Sequence, residues 1–539
     1  MPKITINKKD VLKLVGSNIP DEKLKDRISM LGTDLEYVSK DEICVEIFPN
    51  RPDLLTAEGF SRALSSFAKI KTGLRSYKVN KSGYTFKVDA KTKKVRPAVA
   101  AAVVKGIKTD DIIIKSIMDM QDKLTLTHGR NRKKVAIGIH DLSSIKFPLT
   151  YTTKQKSFRF TPLDKSNEHT LDEILETHPK GKEFAHLLKD FKEYPVWIDS
   201  NNQVLSMPPI INSEETKLKP GTKDLFIDIT GTSQLAVEQA LNIIVTSLAD
   251  RNGKIYSVNS FPNLNPKKIK IDIKKVNKIL GLNLSSQQIK KLLEMMGMTM
   301  IGSNVIYPAY RTDILDHADI IEDIAIAYGY ENFTHEIPNI STIAEEDSMH
   351  IFKEKIADIC IGLGLQETLS LHLSNKEDEI VKTNASMDII KIKNALSREY
   401  NTMRSWIVPS LLKVLKTNKH NEYPQNIFEI GKVFIKKGNN IAEPVRLGIA
   451  LCHNKADYTE ARKILDSIIS SIGLTSMYKE AEHKTFIKGR VARVSVENKE
   501  VAYIGEIHPE VLNNFEIDNP VSIIELNLTD LFVIKSKAK

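Results

Sequence analysis

The stretch "VIYPAYRTDILDHADIIEDIAIAYGY", Val305 to Tyr330, carries four closely spaced carboxylates: Asp313, Asp319, Glu322 and Asp323. On a helix beginning near Asp316, Glu322 and Asp323 follow Asp319 by three and four residues, so the three point the same way. Asp313 sits in the preceding turn and reaches back over the helix start, while Ile320, Ile321, Ile324 and Tyr328 take the other side. Three chemistries compete for such a face. Acidic residues in a first turn interact favourably with the helix dipole, which accounts for Asp316 and Asp319 but fades before Glu322 and Asp323. A salt-bridge surface for a partner's Arg or Lys is the second. The third is a hard oxygen site for Mg²⁺, which normally takes one or two protein carboxylates and keeps several waters.

The elements that must hold this face form a repeat. "KITINKKDVLKLVGSNIPDEKLKDRISMLG" from Lys3 aligns without gaps on "KIKIDIKKVNKILGLNLSSQQIKKLLEMMG" from Lys268, pairing Ile4 with Ile269, Val11 with Val276, Gly16 with Gly281 and Gly32 with Gly297. Each copy predicts a short strand, a helix stopped by glycine, a second helix, then a strand and turn, "CVEIFPNRPDLL" or "VIYPAYRTDIL". The first copy continues "TAEGFSRALSSF", with a basic Arg62 where the second is acidic. Between the copies, "VAIGIHDL" and "DLFIDITGTS" read as buried strands. "SQLAVEQALNIIVTSLADRNG" reads as a helix with an apolar stripe of Val237, Leu241, Ile244, Val245 and Leu248, capped by Ser233. Boundaries fall at "SVNSFPNLNPK" and within "THEIPNISTIAEEDS".

A chain of 539 residues accommodates several cores. A formal charge of +10 favours a polyanion such as RNA, although lysines that merely keep a surface soluble give the same balance. Cys44, Cys360 and Cys452 are far apart and include no CxxC, which argues against a disulfide framework or zinc knuckle. "MPKITINKKD" has no apolar signal core, and no run approaches a membrane span, so a soluble cytoplasmic protein is expected.

"NRPDLLTAEGFSRAL" from Asn50 and "YRTDILDHADIIEDIAIAYGYENF" from Tyr310 resemble the β subunit of phenylalanyl-tRNA synthetase, in its shorter archaeal and eukaryotic type. "GRNRKKVAIGIHDL", "VLSMPPIINSEE", "LFIDITGTS", "RSWIVPSLLKVLKTNKH", "FEIGKVF" and "IGEIHPEVL" follow in family order, so the resemblance covers nearly the whole chain. It implies an (αβ)₂ heterotetramer that charges tRNA(Phe) with phenylalanine using ATP and Mg²⁺. The metal is associated with Asp313, Asp319, Glu322 and Asp323 near the α subunit, and ATP is bound mainly by α. The expected fold is α+β multidomain. Two related small α+β modules span 1–85 and 268–340, the second bearing the acidic metal site. A central α/β editing domain spans 86–262, and a C-terminal class II synthetase-like antiparallel-sheet domain without catalytic motifs spans 345–539.

No GxxxxGK[ST] loop is present, and "ICIGLGLQE" offers only a lone GxG. The Arg-Glu pair and the glycine-rich motif ending in Arg of class II synthetases are not evident, since "NIFEIGKVF" reads Phe428-Glu429. The last domain is therefore expected to be structural, with Arg404, Asn418, His420 and Glu429 making interface or strand-end hydrogen bonds.

The resemblance also implies hydrolysis of mischarged Tyr-tRNA(Phe) in the central domain. Its expected pocket is lined by Ser206, Asn212, Asp228 and Thr230, with His140 as the nearest acid or base. Asp228 and Thr230 are two apart in a strand and share a face, which suits reading a phenol hydroxyl with one acceptor and one donor. Structural roles remain open for each: Ser206 and Asn212 in turns, Asp228 on neighbouring amides, His140 as a hydrogen-bonded strand-end residue. With no GxSxG elbow or Cys/His pair, a water held by backbone amides can serve as nucleophile. Arg130, Arg132, Lys133 and Lys134 either hold tRNA phosphates or form a solvated hairpin tip. The rival functions are a free-standing RNA-binding scaffold and a stand-alone trans-editing hydrolase.

Overall fold

The computed structural model describes residues 2–537, in two compact units that divide between Ile337 and Pro338. In the first unit the repeat is realised element by element. Strand Lys3–Asn7, helices Lys8–Val15 and Asp21–Met30, and the hairpin of Asp34–Val38 and Glu42–Glu46 make one copy. Strand Lys267–Lys270, helices Ile273–Leu280 and Ser286–Met295, and the hairpin of Thr299–Ile301 and Asn304–Tyr307 make the other. Both sheets have three strands with the last in the middle. Gly16 and Gly281 end the first helices at φ 86° and 66°, a left-handed conformation that costs glycine little and other residues more.

The segments after each hairpin also correspond. Arg51 donates to both oxygens of Asp53 at 2.9 and 2.8 Å, and Arg311 holds Asp313 in the same bidentate way at 2.9 and 2.7 Å. Helices Ala57–Phe67 and His317–Tyr328 follow. Arg62 lies 3.9 Å over the Tyr310 ring and donates to Asp250 at 2.7 Å, so a residue of the first copy grips both the second copy and the helix between them.

That helix, Gln234–Asp250, is buried on nearly every side, so the apolar stripe read from the sequence is part of a wider buried surface. It packs on the sheet containing Ala98–Lys105, Val135–Asp141, Asp224–Gly231 and Lys254–Ser257. The sheet's other face meets a second sheet, through Ala101, Val103 and Phe226 on one side and Tyr151, Trp197 and Leu205 on the other. The central region was expected to be α/β, and this is corrected: both five-stranded sheets are mainly antiparallel, with one parallel pair each. Strands covered by a helix on one face and a sheet on the other are apolar throughout, a pattern shared with parallel strands, and this accounts for the difference. The boundary after residue 85 is also displaced, because Val79–Asn80 pairs with Ile255 and Tyr256 of the central sheet. One core joins both modules to the central helix and its sheet, from Ile4 to Ala327, and separate clusters fill the space between the two sheets and around residues 160–211.

The second unit is built on a seven-stranded sheet in which only Gln366–Glu367, beside Gln425–Lys432, is parallel to its neighbour. Helices Ser348–Gly362, Tyr458–Ser471 and Leu528–Lys537 cover one face and Val408–Thr417 and Pro509–Asn514 the other. Arg404 and Glu429, both fully buried, pair at 2.5 Å, with Ser370 bridging them at 2.9 and 2.7 Å. The expected hydrogen-bonding role of these two residues is thus internal to the unit. Among the described residues, no helix of either unit is long and apolar enough to cross a membrane.

Glu379 is buried, with Oε2 accepting from the Ser405 N–H at 2.9 Å and Oε1 without a partner. Burial pushes its carboxyl up to about 7, against the Ser405 hydrogen bond. Its folded value thus lies above the unfolded one, so the native state binds the extra proton between about pH 4.5 and 7. Stability therefore falls as pH rises through that window and levels above it. Glu379→Gln is expected to remove this decline, of order 3 kcal/mol or less. Denaturant midpoints at pH 5 and 8 check it; an unchanged pH difference in the variant refutes it.

Candidate functional site

Ser206, Asn212, Asp228 and Thr230 line one cavity of about 420 Å³ in the central region. Strand alternation puts Asp228 and Thr230 on the same face of Asp224–Gly231, and Ser206 sits across from Asn212 in the second sheet. Asp228, Thr230 and Ser206 are at most 2% exposed, and the Ser206 hydroxyl has no hydrogen-bond partner.

His140, expected among the pocket residues, does not line the cavity. In the strand register it faces Phe226, whereas Asp228 faces Gly138. From that diagonal position His140 Nε2 reaches Asp228 Oδ2 at 2.8 Å, and Nδ1 meets Thr216 Oγ1 at 2.8 Å. The imidazole is fully buried behind the carboxylate and orients it. Gly138 makes the contact possible: a Cβ there would lie 2.2 Å from Asp228 Oδ2 and 2.7 Å from His140 Nε2.

Two arginines complete the site, and neither position follows from the strand pattern. Arg96, 3% exposed, donates through Nε to Thr230 Oγ1 and through Nη2 to the carbonyls of Thr230 and Arg132, each at 2.9 Å. Burial lowers its guanidinium to about 10, still protonated at neutral pH. Because Thr230 Oγ1 accepts from Arg96, its own O–H is free to donate towards the cavity. The basic run forms a turn in which Arg130, Asn131 and Arg132 take left-handed φ of 49°, 52° and 63°. Arg132 folds inward onto the carbonyls of Pro209 and Ile210 at 3.2 and 2.7 Å and lines the cavity, while Arg130 and Lys133 stay exposed. Lys180 and Lys217 add positive charge to the lining. The whole is an open-mouthed cavity with a polar floor, apolar walls and cations in its lining, able to hold a hydroxyl-bearing side chain.

The acidic series is arranged differently from its expectation. Arg311 Nη2 bridges Asp313 and Asp323 at 2.7 and 2.6 Å; Arg311 and Asp323 are buried and Asp313 is partly so. Asp319 turns back onto the N–H groups of Leu315 and Asp316 at 2.7 and 2.8 Å, completing a capping box with Asp316. Of the four, Glu322 alone is exposed. The one-face reading is corrected: Asp323 points into the core and Glu322 away from it. Burial raises both carboxyls. In Asp313 the charge and hydrogen bonds of Arg311 override it, to about 2; in Asp323 burial wins and the shift is upward. With a guanidinium already between two of the four, the set does not fit a shared Mg²⁺ ion. Among the described residues, the acidic groups whose ligand atoms do converge are Glu346–His350–Glu354 and Asp34–Glu36–Glu46, both at the surface.

Family models match three stretches: the B3/4 domain over residues 82–251, the tRNA synthetase B5 domain over 269–330 and the phenylalanyl tRNA synthetase beta chain CLM domain over 334–528. With the duplicated modules and the central cavity, they define a component of an aminoacyl-tRNA synthetase. The chain is 40% identical to the phenylalanine–tRNA ligase beta subunit of Archaeoglobus fulgidus, over 99% of both chains. It is 39% identical to that of Pyrococcus abyssi, over 99% of this chain and all of the other. A solved N-terminal fragment of the phenylalanyl-tRNA synthetase beta subunit from Pyrococcus horikoshii is 40% identical, with a TM-score of 0.58, covering 61% of this chain and 99% of the fragment. The chain belongs to the phenylalanine–tRNA ligase beta-subunit family.

Proposed function

We propose that this chain serves phenylalanine charging as the β partner of a catalytic α chain in an (αβ)₂ assembly, and that its central cavity hydrolyses Tyr-tRNA(Phe). The convergence of Ser206, Asn212, Asp228 and Thr230 on one cavity carries the hydrolytic part. Asp228 accepts the phenol O–H, Thr230 donates to its oxygen, and the cavity's apolar walls hold the ring. His140 fixes Asp228, Arg96 fixes Thr230, and Arg132 lies where the tRNA's terminal phosphates enter. The ester, at the far end of the tyrosyl group from the phenol, is then opened by a water held by backbone amides, with no protein nucleophile.

ATP, Mg²⁺ and adenylate chemistry belong to α in this reading. The proposed domains follow the two modules, the central editing region and a C-terminal unit of class II synthetase type that docks α. Asp319 and Glu322, which Arg311 does not hold, are proposed as docking positions for basic groups of α.

Reconstitution tests the division of labour. The chain alone, with ATP, phenylalanine and tRNA(Phe), is expected to make no aminoacyl-tRNA, and addition of a class II α chain restores charging. Charging by the isolated chain overturns the proposal. Failure to bind any α chain favours the scaffold reading.

A further inference from the structure

The second unit holds a cavity of about 470 Å³ on one face of its sheet, within the size range of small-molecule sites. Strands Val445–Cys452, Phe486–Val496, Lys499–Ile507 and Val521–Asn527 supply its floor, and the segment around Trp406 its wall. An aromatic cluster lines it: the His483 ring lies 5.8, 5.4 and 5.5 Å from those of Trp406, Phe486 and Tyr503.

The polar lining is of both signs. Arg446 pairs with Glu525 at 2.6 Å, and Arg493 with Glu500 at 2.9 Å while lying 4.1 Å over the Tyr503 ring. Glu525 is fixed from behind by the N–H groups of Ile407 and Val408 at 3.1 and 3.3 Å. Asp530 is held by Lys499 at 2.6 Å and by Asn527 at 2.8 Å, which leaves Asp388 and Lys436 as the remaining exposed charges of the lining. Two N–H donors of the lining are buried and unmet: Nε of Arg446, and Nε1 of Trp406, whose side chain is 6% exposed. Unmet buried donors call for an acceptor.

We propose that this cavity binds a free α-amino acid with an apolar or aromatic side chain. The ligand's carboxylate takes the unmet donors of Arg446 and Trp406, its ammonium group the exposed Asp388 carboxylate, and its side chain the aromatic cluster. The site lies wholly in the second unit and is independent of the hydrolytic reading of the first.

The chain has two tryptophans, so Trp197→Phe leaves Trp406 as the lone emitter, inside the cavity. Titration of the full chain carrying that change with L-phenylalanine, excited at the red edge of tryptophan absorption, is expected to give a saturable change in emission. Half-saturation should fall below about 1 mM, and at least about tenfold higher when Arg446→Gln is added. ATP should give no such change. Absence of a saturable response to L-phenylalanine, or a tighter response to ATP, overturns the proposal. Where Trp197→Phe fails to fold, equilibrium dialysis of radiolabelled L-phenylalanine against the unaltered chain and Trp406→Phe decides it, equal binding by the two being the refuting result.

Discussion

Asp228→Ala is expected to slow deacylation of Tyr-tRNA(Phe) by about 30- to 1000-fold in kcat/KM, with phenylalanine charging by the reconstituted complex unchanged. Asp228 is 1% exposed, and His140 occupies only its Oδ2. A hydrogen bond from a substrate hydroxyl to a buried carboxylate contributes about 1.5–3 kcal/mol. Its loss also leaves that hydroxyl desolvated without a partner, so a total of about 2–4 kcal/mol is reasonable. His140→Gln should cost less, about tenfold, because it loosens Asp228 without removing the acceptor. If charging falls in parallel with deacylation, the variant has damaged the fold or the assembly. If deacylation is untouched, Asp228 does not read the substrate.

Residue periodicity made part of this site legible and hid the rest. Asp228 and Thr230 could be paired from sequence because a strand alternates faces, whatever it packs against. The placement of His140 required the register between two strands, since a shift of one residue changes which side chain meets Asp228. Arg96 was missed because its partners, Thr230 and the carbonyls of Arg132 and Lys133, are distant in sequence, and a lone Arg before an apolar run carries no signal. Gly138 was hidden for the opposite reason: inside "VAIGIHDL" it reads as an ordinary weak strand position, whereas space for the Asp228 carboxylate requires it. The duplicated modules were the most legible feature, because gapless spacing of strand, helix and glycine stop constrains the chain locally. The acidic helix was the least. Its spacing was read correctly, but spacing does not reveal a buried cation contributed by the preceding turn.

That cation gives the largest expected effect on stability. Arg311→Met should destabilise the first unit by about 3–5 kcal/mol at pH 7, because it leaves the buried Asp323 and the partly buried Asp313 without their shared guanidinium. In the native chain Asp313 has a folded value of about 2, below the unfolded one, so its stabilisation is present above about pH 4 and lost as pH falls towards 2. Asp323, shifted upward by burial, works the other way and penalises the ionised form as pH rises. Without Arg311, Asp313 keeps Arg51 at 4.0 Å and only loses part of its depression, whereas Asp323 is pushed further up, so the native state binds an extra proton there and stability declines as pH climbs from about 4. The deficit of the variant should therefore be greatest at pH 7 and shrink towards pH 4, as read from denaturant midpoints of the first unit. Were a bound magnesium ion balancing these carboxylates, chelation would lower the native midpoint and Arg311→Met would be mild. With Arg311 as the counter-charge, EDTA should leave that midpoint where it is.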